Sequence, residues 1–148
     1  MRVVLKKPKD RQAWHRFFGI DPKTTTKVRI DDWDTWSLDY SLSQIILPLL
    51  ERYKELNIGI PMKYETIDEW NEVVDKMIWS FQQLKDDNWE DQYYTGTIDF
   101  VTKLNDKGQY VLENIGDFEA DEEGLRKHYE RIQEGLILFG EHFMDLWW

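Results

Sequence analysis

Cysteine is absent. That removes disulfides, thiolate chemistry and every zinc site that uses sulfur, and it fits a reducing compartment. Histidine is scarce: His15, His128 and His142 stand apart, with no HExxH or paired spacing, so a histidine-based metal site is not expected. No apolar run approaches the ~18 residues of a membrane span. The chain opens on no charged, apolar, small-residue leader, so neither an anchor nor a signal peptide is expected and a cytosolic location is. There is also no glycine-rich phosphate loop, no Ser-His-Asp set and no reactive thiol.

Charge is present in quantity and unevenly placed. Residues 1–30 hold nine Lys or Arg against two acids, whereas residues 31–148 hold ten against twenty-seven, giving a net charge of −10 overall. A basic arm on an acidic body can fold onto that body, dock on a neighbouring subunit or meet an anionic ligand. The acidic body argues against duplex nucleic acid, because affinity for a phosphate backbone rests on many cations along one face. Eight Trp, seven Tyr and seven Phe predict dense packing and self-association first, and a base-stacking pocket second. At 148 residues the chain is expected to form one domain able to bury a real core.

The stretch Asp31 to Leu50, DDWDTWSLDYSLSQIILPLL, joins a Trp-rich polar entry to an apolar helix. Asp34 or Ser37 is the expected cap, since a short side-chain oxygen there can accept from unpaired backbone N–H groups. Behind it Leu38, Leu42, Ile45, Leu49, Tyr53 and Leu56 fall on one helical face, widened by Ile46, Leu47 and Leu50. A stripe that wide predicts a central helix, kinked at Pro48.

On either side the pattern is clear. The segment RVVLKKPKD can add a short strand or remain a tail, and Asp10 precedes a short helix, RQAWHRFFG, before Lys27 to Ile30 extends. After Gly59 and Pro61, Thr66 and Glu69 form a T-x-x-E capping box, followed by Ile67, Trp70, Val74, Met77, Phe81 and Leu84 at helical spacing. Asp86, Asp87, Glu90 and Asp91 crowd the next loop; they are read as solvated charges, the alternative being a hard-cation site. From Thr97 the period changes to two, predicting a β-hairpin near 97–113 around Asn105 to Gly108 that lies on the helices or extends a sheet with Val28 to Ile30 or with another subunit. A last helix from Asp121 to the C terminus carries Leu125, Tyr129, Ile132, Leu136, Phe139, Phe143 and Leu146, with Gly135 and Gly140 as notches for another backbone and Leu146-Trp147-Trp148 as a buried or interfacial end. The fold class expected is mainly α (α+β): three longer helices, a short N-terminal helix and one hairpin.

Three blocks carry a resemblance: VRIDDWDTWSLDYSLSQIILPLL (28–50), DKMIWSFQQLKDDNWEDQYYTG (75–96) and RIQEGLILFGEHFMDLWW (131–148), together 63 of the 148 residues. In that order they resemble a widespread family of small tailed-phage proteins, of which this chain looks like a compact member. A looser likeness is to phage anti-defence sponges, oligomeric proteins that sequester cyclic dinucleotide signals of the CBASS type without destroying them. No ligand-contact motif of those sponges aligns with numbered residues here. The resemblance implies a phage accessory protein of the host cell cytosol, acting in immune evasion as a homo-oligomer, with no catalysis and no cofactor.

Three functions fit the residues. A binder of a small anionic cyclic nucleotide would use rings for bases and cations for phosphates; the candidates are Arg29, Trp33, Trp36, Trp89, Tyr93, Tyr94, His128 and Arg131. A protein-interaction or structural module fits the aromatic load and the opposed charge blocks. A Mg-dependent helical NTP pyrophosphohydrolase would need Glu69 and Glu72 to face Asp87 and Glu90, a pairing inverted in residue type relative to the E-x-x-E and E-x-x-D motifs of the MazG and dUTPase type.

Overall fold

The computed structural model describes residues 2–6, 25–56 and 59–147. In chain order the elements are β1 (Arg2–Lys6), β2 (Thr25–Arg29), α1 (Leu38–Leu56), α2 (Ile67–Lys85), β3 (Tyr94–Thr95), β4 (Phe100–Leu104), β5 (Tyr110–Asn114), β6 (Glu119–Ala120) and α3 (Glu122–Glu141). The fold is mainly helical α+β. The short helix expected after Asp10 lies outside the described residues.

The centre is α2, not α1. Trp70, Val74, Met77 and Phe81 are buried as their spacing predicts, but so are Ile78 and Ser80, so α2 has α1 on one side and α3 on the other. Its start is fixed by Thr66, whose hydroxyl accepts from Glu69 N–H at 3.2 Å. The Glu69 carboxylate accepts from the Glu65 amide at 3.0 Å, one residue before the amide a capping box would engage.

On α1 the buried residues are Ser43, Leu47 and Leu50. The stripe expected to face a core instead reaches solvent: Leu38 is 56% exposed, Leu42 43%, Leu49 52% and Leu56 41%. Apolar residues cover two adjoining sides of this helix, the Leu38–Leu42–Leu49 side and the Leu47–Leu50 side, and hydrophobicity alone does not say which of them meets a neighbour. Close contact selects the side carrying small Ser43, which is fully buried because its hydroxyl donates to the Tyr40 carbonyl at 2.7 Å. Pro48 stands inside the helix. Nor does Asp34 cap α1: it accepts from the Asp31 amide at 2.7 Å, closing a reciprocal box on the 3-10 turn Asp32–Thr35, while the Ser37 carbonyl takes the first helical bond from Ser41 at 3.0 Å.

Helix α3 crosses α2 at Gly135. A Cβ there would lie 2.1 Å from Ser80 Oγ and 2.4 Å from the Lys76 carbonyl oxygen, so only glycine permits this approach. Gly140, the second expected notch, has open space beside it. The helix stops at Glu141, short of the C terminus, where buried His142 is held by Tyr64 Oη at 2.9 Å from Nε2 and by Asp145 Oδ2 at 2.8 Å from Nδ1. Trp147 is 73% exposed, contrary to a buried end; Trp148 lies outside the described residues.

Among the described residues the strands form three two-stranded antiparallel sheets: β1 with β2, β3 with β6, β4 with β5. Val28 pairs with Val3, so the segment before the Trp cluster completes a ribbon with the chain's start rather than extending the hairpin.

Candidate functional site

Asp31 and Asp34 bind each other's backbone amides and so fix a short turn that holds Trp33 and Trp36 outward, 79% and 84% exposed, with ring centroids 6.1 Å apart. Arg29, at the end of β2, is exposed, and among the described residues no ion pair or ring contact engages it. Rigid, wet indoles are expensive to display without a use, because each offers a large apolar surface. Carboxylates crowd the sequence around them. Asp31, Asp32, Asp34 and Asp39 lie within a few residues, and hydrogen bonding to the Asp31 amide lowers the Asp34 pKa, so that carboxylate stays ionised.

A second cluster forms where the loop after α2 meets the first turns of α3. The turn after Asp86 delivers Trp89, and the 3-10 turn Asp91–Tyr93 delivers Tyr93, whose hydroxyl lies 2.8 Å from His128 Nδ1. Trp89 stacks on the imidazole at 4.5 Å and 18°, and Trp79 of α2 lies 5.0 Å from it. Arg131, one turn on, places its guanidinium 3.7 Å from the Trp79 ring centroid, a cation–π contact. Tyr129 meets Trp89 edge-on and donates to Glu90 at 2.9 Å, which, with burial, raises its pKa. Gly124 makes room, since a Cβ there would lie 2.7 Å from the Tyr93 ring.

Four expected ligand residues, Trp89, Tyr93, His128 and Arg131, are thus brought together. Their faces are spent on one another: the imidazole occupies the place a planar guest would take. Tyr94 stands apart, stacked on Phe118 at 5.6 Å. Trp79 was not singled out from the sequence, Tyr129 was read only as part of the last helix's apolar stripe, and Glu90 only as a loop or metal-clamp carboxylate. Trp79 falls off the main α2 stripe, next to Ser80, on a helix that is buried on two sides.

Burial, and then the Arg131 charge, lower the His128 pKa from 6.5, and His128 Nε2 is buried without a hydrogen-bond partner. The fold therefore prefers neutral imidazole. This contribution is complete above pH 6.5 and declines as the pH falls from there toward the depressed folded value. The melting temperature is expected to drop on acidification through this window, and a His128→Phe variant, which keeps a ring between Trp89 and Trp79, should show a shallower slope. An identical slope in both proteins would contradict that assignment.

Of the carboxylates a phosphate-metal clamp would use, Glu69 is engaged at the α2 cap and Glu90 accepts from Tyr129. Among the described residues no three His, Asp or Glu converge on a point where a metal ion could sit. No helix there is long and apolar enough to cross a membrane. No protein-family model matches the chain, no curated protein does, and no solved structure does.

Proposed function

We propose that this protein is a non-catalytic interaction module that works as an assembly of its own copies, with the outer face of α1 as the principal seam. One observation carries this reading: Leu38, Leu42, Leu49 and Leu56 form a continuous apolar stripe along a well-formed helix, on the side away from α2. The stripe borders a hollow of about 390 Å³ walled by Ile46, Leu49, Tyr53, Phe139, Phe143 and Leu146, which extends the apolar surface across to the end of α3. A surface of this kind is the seat an amphipathic helix occupies in helix-in-groove recognition. The test is a Leu42→Lys/Leu49→Lys variant. It should keep the helical circular dichroism of the parent and lose the parent's association in light scattering. Loss of the helical signal itself would place the stripe inside the fold and contradict the reading.

A second reading, capture of an anionic cyclic dinucleotide as a phage counter to host defence, is favoured by one specific feature. Two exposed indoles stand on a rigid turn, with exposed Arg29 at the end of the strand that leads into it. Stacking would supply the affinity and Arg29 the phosphate contact, with sequestration and no bond broken. The surrounding aspartates oppose an anion, so a protein surface suits this patch better than a nucleotide does. A panel of cyclic dinucleotides in thermal-shift measurements decides between them, since a ligand of the folded state raises the melting temperature. A rise that Trp36→Ala abolishes, with the dinucleotide recovered intact, supports capture; no rise with any of them leaves the interaction reading alone.

A further inference from the structure

The loop after α1 and the turn after α3 border a hollow of about 580 Å³, lined by Tyr53, by the loop residues Ile60 to Met62, and by Asp145 and Trp147. One run of hydrogen bonds holds both sides of it. The Tyr64 amide donates to the Pro61 carbonyl at 3.0 Å and closes the loop, while the Tyr64 hydroxyl lies 2.9 Å from Nε2 of buried His142. His142 Nδ1 lies 2.8 Å from Asp145 Oδ2, and the Asp145 amide donates to the His142 carbonyl at 2.8 Å. The Asp145 carboxylate is thus set on a fixed turn, yet its side chain is 42% exposed. Small-molecule sites of this size pair apolar walls with a few placed polar groups. Here the walls are rings, a thioether and aliphatic groups, and the charged group is one carboxylate.

We infer that this hollow is a seat for an alkylammonium group, carried by a free amine or by a lysine side chain. The assignment does not depend on the self-association proposed above. Among the described residues Asp145 has no Lys or Arg partner: its ion pair is with His142. The cations nearby in sequence are engaged elsewhere, Arg52 with Glu55, Lys54 with Asp75, and Lys63 on the Tyr64 ring at 5.5 Å. Trp147, 73% exposed, lines the hollow together with Asp145 and Tyr53, and the faces of such rings attract a cation. The net charge of −10 draws cations toward the chain and repels anions. With a neutral imidazole donating to Oδ2, the carboxylate keeps its charge and Oδ1 is left for the guest. A single-point acceptor of that kind suits a compact ammonium better than the two-pronged guanidinium.

The probes are butylammonium and butanol, which share an alkyl chain and differ in charge, titrated into the full chain at neutral pH and followed by nitrogen–proton correlation NMR. The reporters are the indole N–H of Trp147, identified by its loss in Trp147→Leu, and the backbone amides of the loop at 59, 60 and 62. Butylammonium should shift them saturably in the millimolar range, the strength open to so small a ligand, and butanol should not. Asp145→Asn, whose amide oxygen can still accept from His142, should keep the parent's helical circular dichroism and weaken butylammonium about tenfold or more. Trp147→Leu alters an exposed ring and leaves the Asp145 turn intact; it should weaken binding about threefold or more, read on the loop amides. Acetyl-Gly-Lys-Gly-amide binding more tightly than butylammonium supports the seat with a lysine side chain as occupant, and weaker binding supports it with a free amine. The absence of a saturable shift, an equal response to butanol, or parental affinity in both variants overturns the seat.

Discussion

Replacing Trp70 by alanine is expected to cost about 3–5 kcal/mol of unfolding free energy, the loss typical of a fully buried indole. The ring is 1% exposed and sits where all three helices and the C-terminal turn meet. Its N–H donates to Tyr53 Oη at 3.2 Å, tying α1 to α2, and its faces meet Tyr64 at 5.2 Å and His142 at 5.1 Å. Removing it therefore opens a cavity and also unseats the Tyr64–His142–Asp145 chain of hydrogen bonds that fastens the end of α3. Denaturant titration measures the loss. Trp33→Ala is the internal comparison: that indole is 79% exposed, and the change should stay within about 0.5 kcal/mol of the parent.

Gly135→Ala is expected to destabilise by about 1–3 kcal/mol, although alanine is the better helix former. The added methyl would meet Ser80 Oγ at 2.1 Å, and a backbone carbonyl, Lys76 O, at 2.4 Å. The serine can turn aside, but the carbonyl is fixed in α2, so the helices must separate. Adding Ser80→Ala should recover part of the loss and not all of it. Gly140→Ala, on the same helix with open space around it, should instead gain up to about 1 kcal/mol. Opposite signs for two glycines five residues apart would show that tertiary contact, not propensity, decides each case.

Much of this was legible in the sequence. Helix α2 was, because Trp70, Val74, Met77 and Phe81 keep helical spacing behind a Thr cap; so was the hairpin, because Asn105 and Gly108 punctuate a period of two. The orientation of α1 was not. Its periodicity identified Leu38, Leu42 and Leu49 correctly as one face, but apolar character does not say whether a face meets its own chain or another. The decisive residue was Ser43, a small polar side chain whose burial depends on a local bond to Tyr40 that no pattern of hydrophobicity reports. The site divided in the same way. His128 and Arg131 were both candidates from the sequence, but Trp79, which receives the guanidinium, comes from another helix and was reachable only through the fold. Trp33, Trp36 and Trp89 were candidates for one ligand; instead Trp89 is taken up by His128, and the two entry indoles stand exposed at the surface.

The apolar stripe of α1 and the indole pair are both large hydrophobic surfaces that stand exposed among the described residues, apart from the core that gathers around α2. Sedimentation equilibrium of the unaltered protein at micromolar concentration tests most directly whether other copies cover them. The mass is expected to be a multiple of 18.0 kDa, with dissociation only on dilution. A single species of 18.0 kDa across that range would contradict the account.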